Sequence, residues 1–166
     1  MSWSATPNLT DYLSFIANVM AINVAYLPTD APIITYTLQV AITTVNPLLA
    51  AIGTGQCYPP ISPPSGITPA PIYALAVYNL AGDLLINFAS DQPGFTYFYD
   101  ARKNYGINIF VPGVVGASAD TGTSSSMVTP EFMKTFTTAN LQNLKTPYGR
   151  QYLAFAQAYG TLWGLS

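Results

Sequence analysis

The sequence predicts a mainly α protein: a bundle of four to five helices with a long polar loop or small β-hairpin insert and an extended C-terminal tail. Three observations predict it. Apolar residues recur at three- and four-residue intervals through several long stretches. Thr-Pro pairs stand at Thr6-Pro7, Thr68-Pro69, Thr129-Pro130 and Thr146-Pro147, and the last three each precede such a stretch. Thr accepts a hydrogen bond from the free amides of a first helical turn, and Pro fits the first helical position. Finally, 166 residues, 50% of them hydrophobic, suit one domain that buries roughly 70% of the surface its unfolded chain exposes.

In chain order, the first helix is expected from about Leu9 to Leu27, on the stripe Leu9, Tyr12, Leu13, Ile16, Met20, Val24 and Leu27, with Pro28 ending it. The second is expected from Ala31 to Ile52, with Ile34, Leu38, Ala41, Val45, Leu48 and Ile52 on one face. Pro47 is expected to kink it, because its ring removes a backbone hydrogen bond and crowds the preceding turn. Residues 56–68 carry Pro59, Pro60, Pro63 and Pro64 and predict an extended, semi-rigid connector. The third helix, from Pro69 to about Ala89, is apolar on nearly all sides, the mark of a central buried helix.

Residues 91–128 are expected as a loop or β insert within the single domain. Phe95–Tyr99 and Ile107–Val111 are β-prone runs that suit strands or aromatic packing under a loop. Gly113–Val128 is polar and rich in Gly and Ser. A fourth helix is expected from Pro130 to Leu144, and a last one from Pro147 to about Leu162 on the stripe Tyr148, Tyr152, Phe155, Tyr159 and Leu162. Residues 163–166 form the tail.

Composition excludes several functions. There is no His, and Cys57 is alone. Nucleophile–His catalysis, the usual zinc sites and a disulfide framework are therefore ruled out. Five basic residues and an isoelectric point near 4.5 cannot build the basic surface that tight nucleic-acid binding needs. Among the carboxylates only Asp83, Asp91 and Asp100 cluster in sequence, and surface or capping roles are expected for them. Glu131 is expected in a first helical turn, where a negative charge meets the positive end of the dipole. No catalytic, cofactor-binding or metal-binding residue is identified.

Charged residues make up only 7% of the chain. Such a surface is either covered by Ser, Thr, Asn, Gln and Tyr in a soluble monomer or hidden in an assembly, and assembly is the expectation here. The charges are segregated. Residues 1–101 contain Asp11, Asp30, Asp83, Asp91 and Asp100 and no Lys or Arg. Residues 102–166 contain Arg102, Lys103, Lys134, Lys145 and Arg150 against Asp120 and Glu131. An acidic half packing on a neighbour's basic half would suit a ring, with Lys134 and Lys145 as candidate contacts. Ile33–Ile52 is long enough to span a bilayer, but it carries Thr35, Thr37, Gln39, Thr43, Thr44, Asn46 and Pro47 and no flanking Lys or Arg. The first residues lack the basic start of a signal peptide. Neither membrane insertion nor export is expected, and the single Cys fits a reducing compartment or a structural thiol.

The last third carries a family resemblance. Val114-Val-Gly-Ala-Ser-Ala-Asp-Thr-Gly-Thr-Ser-Ser-Ser-Met127 is followed by an expected helix and then by Thr146-Pro-Tyr-Gly-Arg-Gln-Tyr-Leu-Ala-Phe155. This order resembles the head–tail connector (neck adaptor) proteins of tailed bacteriophages, in which a Ser-rich loop precedes a Thr-x-Tyr-Gly-x-x-Tyr segment. Thr146, Tyr148, Gly149 and Tyr152 fit that segment. The resemblance implies a structural virion protein: a ring, commonly of twelve subunits, under the portal, extending the DNA channel and anchoring the tail. It implies portal protein, tail or nozzle proteins and further copies of the chain as partners, and passing DNA without sequence recognition. It places the protein in the virion neck after synthesis in the host cytoplasm. Trp163 and Leu165 become portal-docking candidates. Ser118, Asp120, Thr123, Ser124, Ser125, Ser126 and Met127 become candidates for an intersubunit or tail-facing loop. A different phage structural subunit (minor capsid or tail completion), a small membrane-associated helical protein and an apolar-ligand carrier stay open as alternatives.

Overall fold

The computed structural model describes residues 4–45, 72–107, 117–120, 123–126 and 145–159. They form a mainly α bundle of five helices: α1 (Leu9–Asn18), α2 (Pro32–Thr44), α3 (Ile72–Phe88), α4 (Tyr97–Asn104) and α5 (Pro147–Tyr159). Two short strands, β1 (Ala117–Asp120) and β2 (Thr123–Ser126), pair antiparallel with Ala117 opposite Ser126 and Asp120 opposite Thr123.

Helix α3 is the centre of the bundle, and the expectation from its sequence holds. It packs mainly against α2 on one side and α5 on another. Tyr78, Val77, Ala76, Ala81 and Leu85 are fully buried. A helix apolar on all sides has no solvent face to lose, so it takes the interior. Gly82 marks the closest approach: a Cβ there would lie 3.2 Å from the Met20 sulfur and 3.4 Å from the Phe15 ring. Around it, Tyr12, Phe15 and Tyr78 form a ring cluster, with Tyr12 and Tyr78 stacked at 5.8 Å and 15°.

Helix α1 is shorter than its apolar stripe. It ends at Asn18 rather than near Leu27. Beyond it the chain unwinds through wide turns, in which the Met20 amide donates to the Phe15 carbonyl and the Ile22 amide to the Ile16 carbonyl, both at 3.1 Å. Ala21 sits between them in the left-handed region at φ 54°. The Asn23 side chain then accepts from the Ala25 amide at 2.9 Å, a local turn that competes with helix. Met20 and Leu27 still reach the core, but Val24 is 64% exposed. The start of α1 is capped by Asn8, whose side chain accepts from the Asp11 amide at 2.8 Å.

Helix α2 begins at Pro32 and buries Ile34, Leu38 and Ala41 as expected. It ends at Thr44, with Val45 buried but extended. Thr43 and Thr44 both donate their hydroxyls to the Val40 carbonyl at 2.8 Å, which loosens the last turn. Thr37 is the buried polar exception: it donates to the Ile34 carbonyl at 3.1 Å and lies 3.3 Å from the Tyr12 hydroxyl.

The insert holds the main departure from expectation. Phe95–Tyr99 is not a strand; its rings pack, the other expectation for this run, but from a helix. Tyr97–Asn104 is helix α4, because Asp91 reaches forward over its open end. The Asp91 carboxylate accepts from the Phe98 amide at 2.6 Å and the Tyr99 amide at 2.9 Å. Two charge-assisted hydrogen bonds to free first-turn amides outweigh the β preference of a Phe/Tyr run. Pro47, the 56–68 connector, the helix expected over Pro130–Leu144 and the tail 163–166 lie outside the described residues, as do residues 46–52 and 69–71 at the ends of the second and third expected helices.

Candidate functional site

The Thr146-x-Tyr-Gly-x-x-Tyr segment is the start of α5, and each of its residues has a packing role. Thr146 is buried and caps the helix: its hydroxyl oxygen accepts from the Gly149 amide at 2.9 Å and its hydroxyl donates to the Asp83 carboxylate on α3. Gly149 is itself buried. Tyr148 sets its ring edge against Phe15 of α1 at 6.2 Å, and Tyr152 and Phe155 lie against the core one and two turns on. The motif therefore ties α5 to both α1 and α3. The aromatic stripe of the last helix faces the core over these three residues, as its spacing suggested.

Asp83 is the buried partner that sequence reasoning missed. It was expected at the surface or on a cap, yet it is 1% exposed. Its second oxygen accepts from the Asn87 amide at 3.2 Å. Burial pushes its pKa up to about 6, against the opposing hydrogen bonds from Thr146 and Asn87. The only sequence signal was a lone charge, Asp83, inside an otherwise uncharged helix. Burial also raises the Tyr148 phenol to about 12.

Two basic residues serve inside the subunit. Arg102 on α4 donates to the Ile86 and Ala89 carbonyls at 3.2 and 2.7 Å, closing the C-terminal end of α3, where a cation meets the negative end of the dipole. Lys145 donates to the Gly106 and Ile107 carbonyls at 3.1 and 3.0 Å. Lys145 thus holds the chain after α4 against the start of α5. Lys134 lies outside the described residues. Arg150, by contrast, is exposed in the first turn of α5, a turn that carries no acidic residue.

An aromatic groove opens between the turn before α2 and helix α4. It encloses about 630 Å³ and is lined by Tyr26, Phe95, Tyr97 and Tyr105 together with Asp100 and Asn104. Tyr26 stacks on Tyr97 at 5.0 Å and 9°, and Phe95 meets Tyr26 edge-on at 5.1 Å. On α4, positions 97, 100, 101 and 104 share one face by helical spacing. The β-prone run was thus legible as aromatic packing, but its partner Tyr26 was not.

The Ser-rich loop candidates fall on the hairpin. Ser118 stands opposite Ser125, Asp120 opposite Thr123, and Ser124 and Ser126 complete β2. Met127, Trp163 and Leu165 lie outside the described residues. Among the described residues no group of three or more acidic or Cys side chains is placed to hold a metal ion, and no helix is long and apolar enough to cross a membrane. Comparison of the chain with protein-family models, with characterised proteins and with solved structures finds no match.

Proposed function

We propose that this chain is a structural virion protein of a tailed bacteriophage, a head-to-tail adaptor that forms a ring under the portal, extends the DNA channel and anchors the tail. The observation that carries this reading is the order of features in its last third: a Ser-rich segment, then Thr146, Tyr148, Gly149 and Tyr152 opening the final helix. A hairpin of Ser and Thr residues is the kind of element that extends a neighbour's sheet on assembly. The near absence of charge supports it too, because a channel wall poor in Lys and Arg lets DNA slide rather than holding it. In this reading the protein performs no chemistry and takes no cofactor. Its partners are the portal, the tail or nozzle proteins and its own copies, with Trp163 and Leu165 as the portal anchor. Buried Trp is a typical interface hot spot. Deleting residues 163–166 tests the anchor. The account expects loss of portal attachment with an unchanged helical circular dichroism spectrum; normal attachment overturns the docking assignment.

A further inference from the structure

We propose that the aromatic groove of one subunit is the acceptor for Arg150 of a second copy. The proposal deepens the ring reading by naming the contact between neighbours.

The groove is built to take a planar cation. Its walls are the rings of Tyr26, Phe95, Tyr97 and Tyr105, and among the described residues no Lys or Arg lines it. Phe95 and Tyr105 are 41% and 36% exposed, so ring surface is open to a ligand. Asp100 supplies the countercharge. One of its oxygens accepts from the Thr96 hydroxyl at 2.8 Å, and its other oxygen has no hydrogen-bond partner among the described residues. The Asn104 amide beside it has none either. A guanidinium presents a flat face to aromatic rings and a fork of donors to a carboxylate, the combination this lining matches.

The donor is exposed on the same chain. Arg150 occupies the first turn of α5, where a positive charge meets the positive end of the helix dipole. Its side chain makes no hydrogen bond or ion pair among the described residues. Of the other described cations, Arg102 and Lys145 are committed to backbone carbonyls of their own subunit, and Lys103, exposed on α4, lacks the flat guanidinium that aromatic walls match. By helical spacing Arg150 lies on the face of α5 opposite Tyr148. Tyr148 packs inward near Tyr97 and Tyr105, and two residues advance the helix by about 200°. Donor and acceptor are different patches of one subunit, so the contact is head-to-tail, the kind that builds a ring when its rotation closes. Arg and Tyr are also the residues that most often dominate interfaces.

Sedimentation velocity on the full chain tests the contact with Arg150→Glu and Asp100→Lys. Both positions are exposed; Arg150→Glu puts a favourable charge at a helix N-terminus, whereas Asp100→Lys removes one from the start of α4 and the Thr96 bond, so each variant is first matched to the wild type in helical circular dichroism. The wild type is expected to form species larger than a dimer, and each variant to self-associate at least about tenfold more weakly, a loss of about 1.4 kcal/mol. An equimolar mixture of Asp100→Ala and Arg150→Ala chains is expected to stop at dimers, since only one intact contact can form per pair. Variants that sediment like the wild type overturn the proposal, as does a wild type that stays monomeric at its highest soluble concentration. Normal recovery of portal protein by variants that self-associate normally discards the groove contact and leaves the adaptor reading standing. Self-association lost as expected, with no virion protein ever recovered, does the reverse.

Discussion

The buried carboxylate of Asp83 gives the fold a pH dependence of unusual sign. Its pKa in the folded chain is about 6, raised by burial from an ordinary value of 3.8. The folded state therefore binds a proton more tightly than the unfolded state. The stabilisation this provides is fully present below pH 3.8, is lost as pH rises toward 6, and is absent above. In full it amounts to about 3 kcal/mol, of which roughly half is lost between pH 5 and pH 7. The perturbation is Asp83→Asn, which keeps the shape and an acceptor for the Thr146 hydroxyl but removes the titration. The assay is urea unfolding of both proteins at half-unit steps from pH 4 to 7.5. Other carboxylates titrate alike in the two proteins, so the difference between them isolates Asp83. The variant is expected to gain on the wild type by about tenfold in unfolding equilibrium constant from pH 5 to pH 7. Parallel curves over that interval would refute the argument that burial governs this carboxylate.

Three further outcomes follow from the same contacts. Thr146→Val removes both the α5 cap and a hydrogen bond to Asp83; thermal unfolding should show a loss of about 2–4 kcal/mol, while Thr146→Ser stays near wild type. Ala21→Gly relieves the left-handed backbone at φ 54° and should raise stability by up to about 1 kcal/mol after the entropy cost of Gly, read as a higher urea midpoint at unchanged slope. Burial raises the Tyr148 phenol to about 12 and the Tyr12 phenol well above its ordinary value. Folding keeps these phenols neutral, so the stability they contribute is intact below pH 10 and lost as pH rises toward 12. Phenolate absorbance should then rise together with loss of helical signal; ionisation of every tyrosine well before unfolding would contradict it.

The parts of the fold legible in the sequence were those written in periodicity. Ile34, Leu38 and Ala41 on α2 and Tyr148, Tyr152 and Phe155 on α5 each lie on one stripe, and each stripe faces the core. The run of α3, apolar on nearly all sides, likewise went to the centre. What failed were boundaries and long-range polar contacts. The stripe of α1 continues past Asn18 because Met20 and Leu27 still bury, but they do so from turns rather than from a helix. Helix α4 was hidden because Asp91 stabilises it from seven and eight residues away, outside the usual capping spacing. Asp83 and Thr146 are 63 residues apart, and no local pattern joins them. The Thr-x-Tyr-Gly-x-x-Tyr segment was visible as a motif, yet its anchor on α3 was not. The groove shares this property: Phe95 and Tyr97 stood out as an aromatic run, whereas Tyr26 arrives from a turn that periodicity assigned to a helix.

Affinity capture of the full chain from a lysate in which its source virus is assembling, read by mass spectrometry, tests the adaptor reading most directly. The account predicts recovery of a portal protein together with tail proteins and untagged copies of the chain. Recovery of membrane proteins or lipid with no virion component would contradict it.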